Sequence, residues 1–454
     1  MTKLPSVKPL ENERLVLALV ALFYTLFLLI QDGIVDTADG ILHYQYARFA
    51  ADHPENFFNH WAKPVFTLLA FLPAQVGLIG VKILNILLVT ATAGLVMKTA
   101  KVLKLREWAL AGLLSVLGNS VTYVVLGGLT EPSMMLVLSA VMYTAVSRQF
   151  KWMYFLLGLS LMVRPEAIVM IAVFGIYGLT YGKWKETIWG LVFPLLITVS
   201  GMLIAGYEWS WIVTQQPYNP GGSVYGHGEW THYYDRWSKV TPYITLYLAL
   251  GSIVILGLKR KADRLIPVVL TGFGIIALHV FLWRFGKMGS AGLVRTLTTA
   301  LPALGLLSAY TLSHFRYRAL VLLPLLFFAI EFKNKNDFPA EARDSELAAQ
   351  SMAQKIEDRG LITSETRIAY QFATTAYYLD INPFNREKVT RLWSLDRETA
   401  SSSLKNGDIL IWDNMTGHRE GGLTWERISN DPHVEQLDSV SVNDAKLVSF
   451  RIVK

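Results

Sequence analysis

Residues 76–106 read VGLIGVKILNILLVTATAGLVMKTAKVLKLR. Between Val76 and Met97 the only charge is Lys82. A bilayer core about 30 Å thick is crossed by about 20 mostly apolar residues in a helix, so this run is long enough to span. Lys98, Lys101, Lys104 and Arg106 crowd its far end. Cytoplasmic loops carry the excess of Lys and Arg, which places that end inside and sets the phase for the rest of the chain.

Working back, the apolar stretch extends to about Val65 but is interrupted by Pro73, Gly77 and Gly80. A short interfacial helix is therefore expected before the span. Further back, residues 15–30 are apolar and follow Lys3, Lys8 and Arg14. Only Gln31-Asp32-Gly33 follows, not a small-x-small cleavage site, so an uncleaved first span is expected rather than a signal peptide. Working forward, spans are expected at 108–126, 133–147, 152–163, 167–181, 187–206, 242–258, 265–283, 296–312 and 319–330, about eleven in all. The basic groups Arg148 and Lys151; Lys183 and Lys185; Lys259, Arg260, Lys261 and Arg264; and His314, Arg316 and Arg318 then fall inside. Asp32, Asp36, Asp39, Glu131, Glu166, Glu229 and Asp235 all fall outside.

Composition agrees. Of 454 residues, 52% are hydrophobic and 17% charged, against roughly 25% charged in soluble chains. The net charge of +7 sits mostly at helix ends, so it speaks for membrane lipids and not for nucleic acid. The absence of cysteine excludes disulfides, thiolate metal sites and a cysteine nucleophile. Beyond Ile330 the composition turns ordinary. We expect a membrane domain over 1–331 and a soluble outer domain over 332–454, of α/β or α+β type. In the latter a helix at 341–359 ends at Gly360, strands lie at 367–372, 408–412 and 447–453, and a helical turn at 425–429. The polar loop at 412–422 is either a ligand loop or an ordinary turn.

Four outer groups carry candidate chemistry. In the first loop, Asp36-Thr37-Ala38-Asp39-Gly40, Asp39 would cap a helix from Gly40 to about Asp52, with His43, Tyr46 or Ala47, and Ala50 on one face. A carboxylate held at the membrane surface can serve as a general base; Lys63 closes the same loop. Thr130-Glu131-Pro132 suits a helix start. Arg164-Pro165-Glu166 offers either a snorkelling Arg or a guanidinium fork for phosphate. Arg284, Lys287 and Arg295, in a loop with Gly286, Gly289 and Gly292, run against the positive-inside preference and point to an anionic ligand or to lipid headgroups. In the long aromatic loop, Tyr225, His227, Glu229 and His232 offer sugar contacts, an interfacial belt or, at non-standard spacing, a metal site. Lys82 and His279 are the main ionisable residues within spans. A coupled transporter usually keeps carboxylates there.

The order of these motifs resembles that of the GT-C superfamily of integral-membrane glycosyltransferases, which includes the protein mannosyltransferases and the lipid A aminoarabinose transferases. It runs from an outer-loop Asp before a surface helix, through Thr-Glu-Pro and a short span ending in Arg-Pro-Glu, to a late Gly-rich loop with Arg. The likeness covers about residues 10–330. Gly40 stands where the family commonly follows its Asp with Glu, so Asp36 and Asp39 both remain candidates. The resemblance implies a polyprenyl-phosphate sugar donor and an acceptor hydroxyl on a glycan, lipid or protein. It implies transfer with inversion on the periplasmic face of a bacterial inner membrane. Asp39 would be the base, and Arg164, Arg295, Lys287 and Lys63 would hold phosphate. Glu131 and Glu166 would orient these cations or bind sugar hydroxyls, and His43, His227 and Tyr225 would bind substrate. Some relatives use a divalent cation and others do not. The rival reading is a transporter or flippase of a lipid-linked glycan.

Overall fold

The computed structural model describes residues 12–217, 223, 225–259, 264–315, 322–335, 338–396 and 399–454. Arg260, Lys261, Arg316 and Arg318 of the expected inner clusters, and the basic residues before position 12, lie outside them. The chain divides into two compact units. One comprises Met1–Leu29 and Pro54–Asp337, the other Ile30–His53 and Phe338–Lys454.

The first unit is helical. Among the described residues, four helices are long and apolar enough to cross a bilayer: Glu13–Ile30, Leu78–Val102, Lys185–Ala205 and Ile266–Arg284. A fifth span is made if Trp108–Val116 and Asn119–Leu126 count together across their 60° bend. The other expected spans correspond to shorter helices, such as Glu131–Val146, Phe150–Ser160 and Ala167–Thr180. Pro165 and the turn around it interrupt the apolar run that would otherwise continue. Leu15, Leu19, Leu22, Leu26 and Leu29 of the first helix are exposed, as are Leu191, Leu195, Leu196, Val199 and Leu203. Apolar faces of this extent are not left to water; the chain is a polytopic integral membrane protein.

Its centre is Leu301–Leu312, in which every residue is buried, as expected for a helix apolar all round. Small residues let its neighbours approach. A Cβ on Gly305 would lie 2.4 Å from Ser115 Oγ and 2.9 Å from the Ala111 carbonyl. Hydroxyls then bond across helices, from Ser308 Oγ to Thr245 O (2.9 Å) and from Thr311 Oγ1 to Leu248 O (2.7 Å). Such contacts hold helices together where lipid removes the hydrophobic drive. The bend at Gly118 has a local cause. Asn119 Nδ2 bonds the Ser238 carbonyl at 2.9 Å, Ser120 Oγ meets Thr298 Oγ1 at 2.7 Å, and a Cβ on Gly118 would lie 2.6 Å from Val240 O.

In the second unit, β1 (Ile368–Tyr370), β2 (Val389–Arg391), β3 (Ile409–Asp413), β4 (Val434–Val442) and β5 (Ala445–Ile452) form one sheet, ordered β2-β1-β3-β5-β4. β1 is parallel to β2 and β3, while β5 is antiparallel to β3 and β4. The helix Asp344–Asp358 buries Ala348, Ala349, Met352, Ala353 and Ile356 among residues of the sheet. It is followed by Gly360 at φ +59°, a helix end that glycine tolerates best. The turn Trp425–Ser429 is capped by Thr424, whose Oγ1 accepts from the Arg427 N–H. Within 412–422, Asp413 closes a tight turn on the N–H groups of Met415 and Gly417.

Candidate functional site

The breaks in the apolar runs are where charge collects. Helix Glu131–Val146 begins at the Thr130-Glu131-Pro132 turn, with Pro in its first turn. The preceding turn is held from below. Asn85, fully buried in Leu78–Val102, donates Nδ2 to the carbonyls of Leu129 (2.9 Å) and Val124 (3.3 Å). Arg164 follows the short helix Phe150–Ser160. Its Nε lies 2.6 Å from Glu166 Oε1, and its Nη1 lies 3.2 Å from Glu131 Oε1 and 2.7 Å from Thr130 Oγ1. Arg295, just past Gly292, brings its Nε to 3.9 Å from Glu131 Oε1, with its guanidinium 5.9 Å from the Tyr123 ring centroid. The two carboxylate side chains are 3% and 1% exposed, the two guanidiniums 11% and 12%.

Two cations and two carboxylates thus meet in a nearly dry place, where each charge is tolerated only because the others are there. Burial pushes the Glu166 carboxyl up. Arg164, His279 and a backbone N–H outweigh it and hold the group below its ordinary value. The sequence marks His279 only as an ionisable residue within a span. The structure brings it within electrostatic reach of Glu166, Arg164 and Glu131. Glu131 Oε2, Glu166 Oε2 and His279 Nε2 are buried and accept or donate no hydrogen bond among the described residues. The cluster therefore offers fixed guanidiniums beside polar atoms with bonding capacity left, the equipment for an anionic, hydroxyl-bearing ligand.

The other candidates lie elsewhere. Lys63 is buried at the start of helix Pro64–Ala74, at φ +66°, and donates Nζ to the His60 carbonyl at 3.2 Å. Burial holds the His60 imidazole down at about 4, against a bond at Trp211 and with Lys63. Lys287 is exposed in its glycine-rich turn. That turn packs on the aromatic loop. Ser223 N–H bonds Gly286 O at 2.7 Å, and His232 Nε2 lies 2.8 Å from Gly292 O. Tyr225 and His227 belong to this loop pair, half-buried and exposed respectively. His227, Glu229 and His232 do not form a metal-holding group, nor do any three such residues among those described.

Asp36, Asp39 and His43 lie in the second unit. The helix there is Asp39–Arg48, shorter than expected, and its cap is not Asp39. Asp36 Oδ1 accepts from the N–H groups of Ala38 (3.1 Å) and Gly40 (3.0 Å), closing an Asx-type turn. Asp39 sits in the first turn, partly exposed, while Asp36 and His43 are buried.

No protein-family profile and no curated protein sequence matches this chain. Solved structures do. ArnT from Cupriavidus metallidurans bound to undecaprenyl phosphate superposes with a TM-score of 0.62 at 12% identity, covering 96% of this chain and 97% of that one. The apo state of the same protein gives 0.61 over the same shares. Along nearly its whole length the chain shares the fold of ArnT.

Proposed function

We propose that this protein transfers a monosaccharide from a polyprenyl-phosphate donor to an acceptor hydroxyl, on the periplasmic face of a bacterial inner membrane. The observation that carries this reading is the Arg164–Glu131–Glu166–Arg295 cluster, set in a fold shared with a protein crystallised with undecaprenyl phosphate. Arg164 and Arg295 bind the donor phosphate and stabilise the charge that grows on it as it leaves. Glu131 and Glu166 hold those guanidiniums in place and, with His279, meet sugar hydroxyls. Asp39 takes the acceptor proton. Asp36 is buried against two backbone N–H groups, whereas Asp39 is partly exposed, which favours Asp39 for the proton transfer. The acceptor oxygen attacks the anomeric carbon as the bond to the phosphate oxygen breaks. Its electron pair leaves with the lipid phosphate, and the sugar inverts.

The test is direct. Purified protein in lipid is incubated with a panel of polyprenyl-phosphate monosaccharides and cell-envelope extract, and free polyprenyl phosphate is measured. Release by wild type and not by Asp39→Asn is expected, and the active donor names the sugar. Release by neither, with movement of donor across the bilayer by folded protein, would replace the transferase with a flippase.

A further inference from the structure

The loop that carries Asp36, Asp39 and His43 is only 24 residues, from Ile30 to His53, yet it is fastened along its length to residues near the far end of the chain. Ahead of Asp36, the Gly33 N–H donates to the Ala340 carbonyl at 3.0 Å and the Ile34 N–H to Glu346 Oε2 at 2.8 Å. Between the two aspartates, the Thr37 carbonyl accepts from Thr374 Oγ1 at 2.5 Å. Beyond His43, Arg48 pairs with Asp380 at 2.7 Å, and His53 Nε2 lies 3.1 Å from Asn382 Nδ2. The rings of Tyr44 and Tyr46 pack on Tyr377 and Phe384, with centroids 5.8 and 4.6 Å apart. The approach at Gly33 is so close that a Cβ there would lie 2.3 Å from the Glu341 carbonyl oxygen.

Glu346 is the hinge pin of this arrangement. It is 4% exposed, and its two oxygens do different things. Oε2 takes the Ile34 N–H, while Oε1 takes the Tyr378 hydroxyl at 2.8 Å. Burial and the bond to Glu346 push that hydroxyl up, so it keeps its proton and stays a donor. Removing the carboxylate leaves the buried Ile34 N–H, two residues from Asp36, and the half-buried Tyr378 hydroxyl without this acceptor.

We infer that the tail residues position the acceptor-side loop, with Glu346 as a positioning residue for the proton transfer; this rests on the reading of Asp39 as base. A base misplaced by about 1 Å loses roughly 100-fold in rate. Glu346→Ala should therefore lower kcat about 10- to 100-fold and leave the KM for the donor within about 2-fold, since donor phosphate binding is assigned to Arg164 and Arg295. Hydrogen exchange should rise across residues 36–48 while β3 and β5 stay protected. The chain has no cysteine, so Arg48→Cys with Asp380→Cys gives one reactive pair. Joining it with a short bifunctional thiol reagent in the Glu346→Ala background should restore both kcat and loop protection, which a merely misfolded tail would not allow. Unchanged loop exchange in Glu346→Ala overturns the inference. So does unchanged kcat when Asp39→Asn is inactive. If Asp39→Asn turns over like wild type, the base assignment has failed, and loosened exchange in Glu346→Ala would still support the tie.

Discussion

At the scale of single residues, Arg164 decides most. It makes two ion pairs with buried carboxylates, so its removal leaves Glu166 without its guanidinium and Glu131 with the longer contact to Arg295. Arg164→Ala is expected to cost about 3–5 kcal/mol of stability, read as a lower unfolding temperature in detergent. Arg164→Lys keeps the charge but loses the planar fork, and turnover should fall about 100-fold with less effect on stability. Equal turnover by the lysine variant would remove Arg164 from the phosphate role. His60 gives a pH signature. Its folded-state value, about 4, lies below the unfolded value of about 6.5, so the unfolded chain binds the extra proton in between. The contribution is complete above about pH 6.5 and is lost as pH falls toward 4. His60→Gln should flatten the slope of melting temperature between pH 4 and 6.5; an unchanged slope would assign the loss to other groups. Some of this was legible in the sequence. Arg164, Glu131 and Arg295 stand out because charge at the ends of apolar runs is costly and hence meaningful. Spacing did not show their pairing, because it joins three helix ends far apart in the chain; only the resemblance implied that Glu131 orients the cations. His279 was named only as an ionisable residue within a span, because position within an apolar run does not say which way a side chain faces. Asp36 and Asp39 could not be separated, since helix starts are uncertain by a residue or two in sequence.

At the scale of elements, short breaks in helices carry the site. Leu117-Gly118, Gly127–Thr130 and Arg164–Glu166 each interrupt an apolar run, and two of the three supply members of the charged cluster. Asn85 supports one of them from a neighbouring helix. Asn85→Leu should leave the Leu129 carbonyl without its side-chain donor at a cost of about 1–3 kcal/mol, and should reduce turnover by loosening Thr130 and Glu131. A variant as stable and active as wild type would show that the turn holds itself. The tail strands illustrate the limits of pattern. β3, ILIWD, is buried throughout and β5 nearly so, and both were expected. β4, VEQLDSVSV, lies at the sheet edge with Glu435 exposed and Asp438 buried, and polar residues in an edge strand disguise its pattern. β2 has three residues, too few for any periodicity.

At the scale of the whole molecule, the long helices near 13–30, 78–102, 185–205 and 266–284 were legible because hydropathy alone identifies them. The shorter ones were expected as full spans because composition does not reveal where a helix stops. The expected orientation is testable in a chain without cysteine. Ser403→Cys, exposed in the tail, should react with a membrane-impermeant thiol reagent added to intact cells opened only at the outer membrane. Lys98→Cys should react only after lysis. The reverse pattern would invert the topology and move the proposed chemistry to the cytoplasm. The hydrogen bond from Ile34 to Glu346 spans 312 residues, and this has a consequence for biosynthesis. Ribosomes add about 5–20 residues per second, so the first loop leaves the ribosome roughly 15–60 s before its partner does. During that interval the nascent chain can thread its helices into the bilayer, but the loop of Asp36 and Asp39 has nothing to fold against. On the proposed function, the order of translation itself would keep an unfinished copy from consuming lipid-linked sugar.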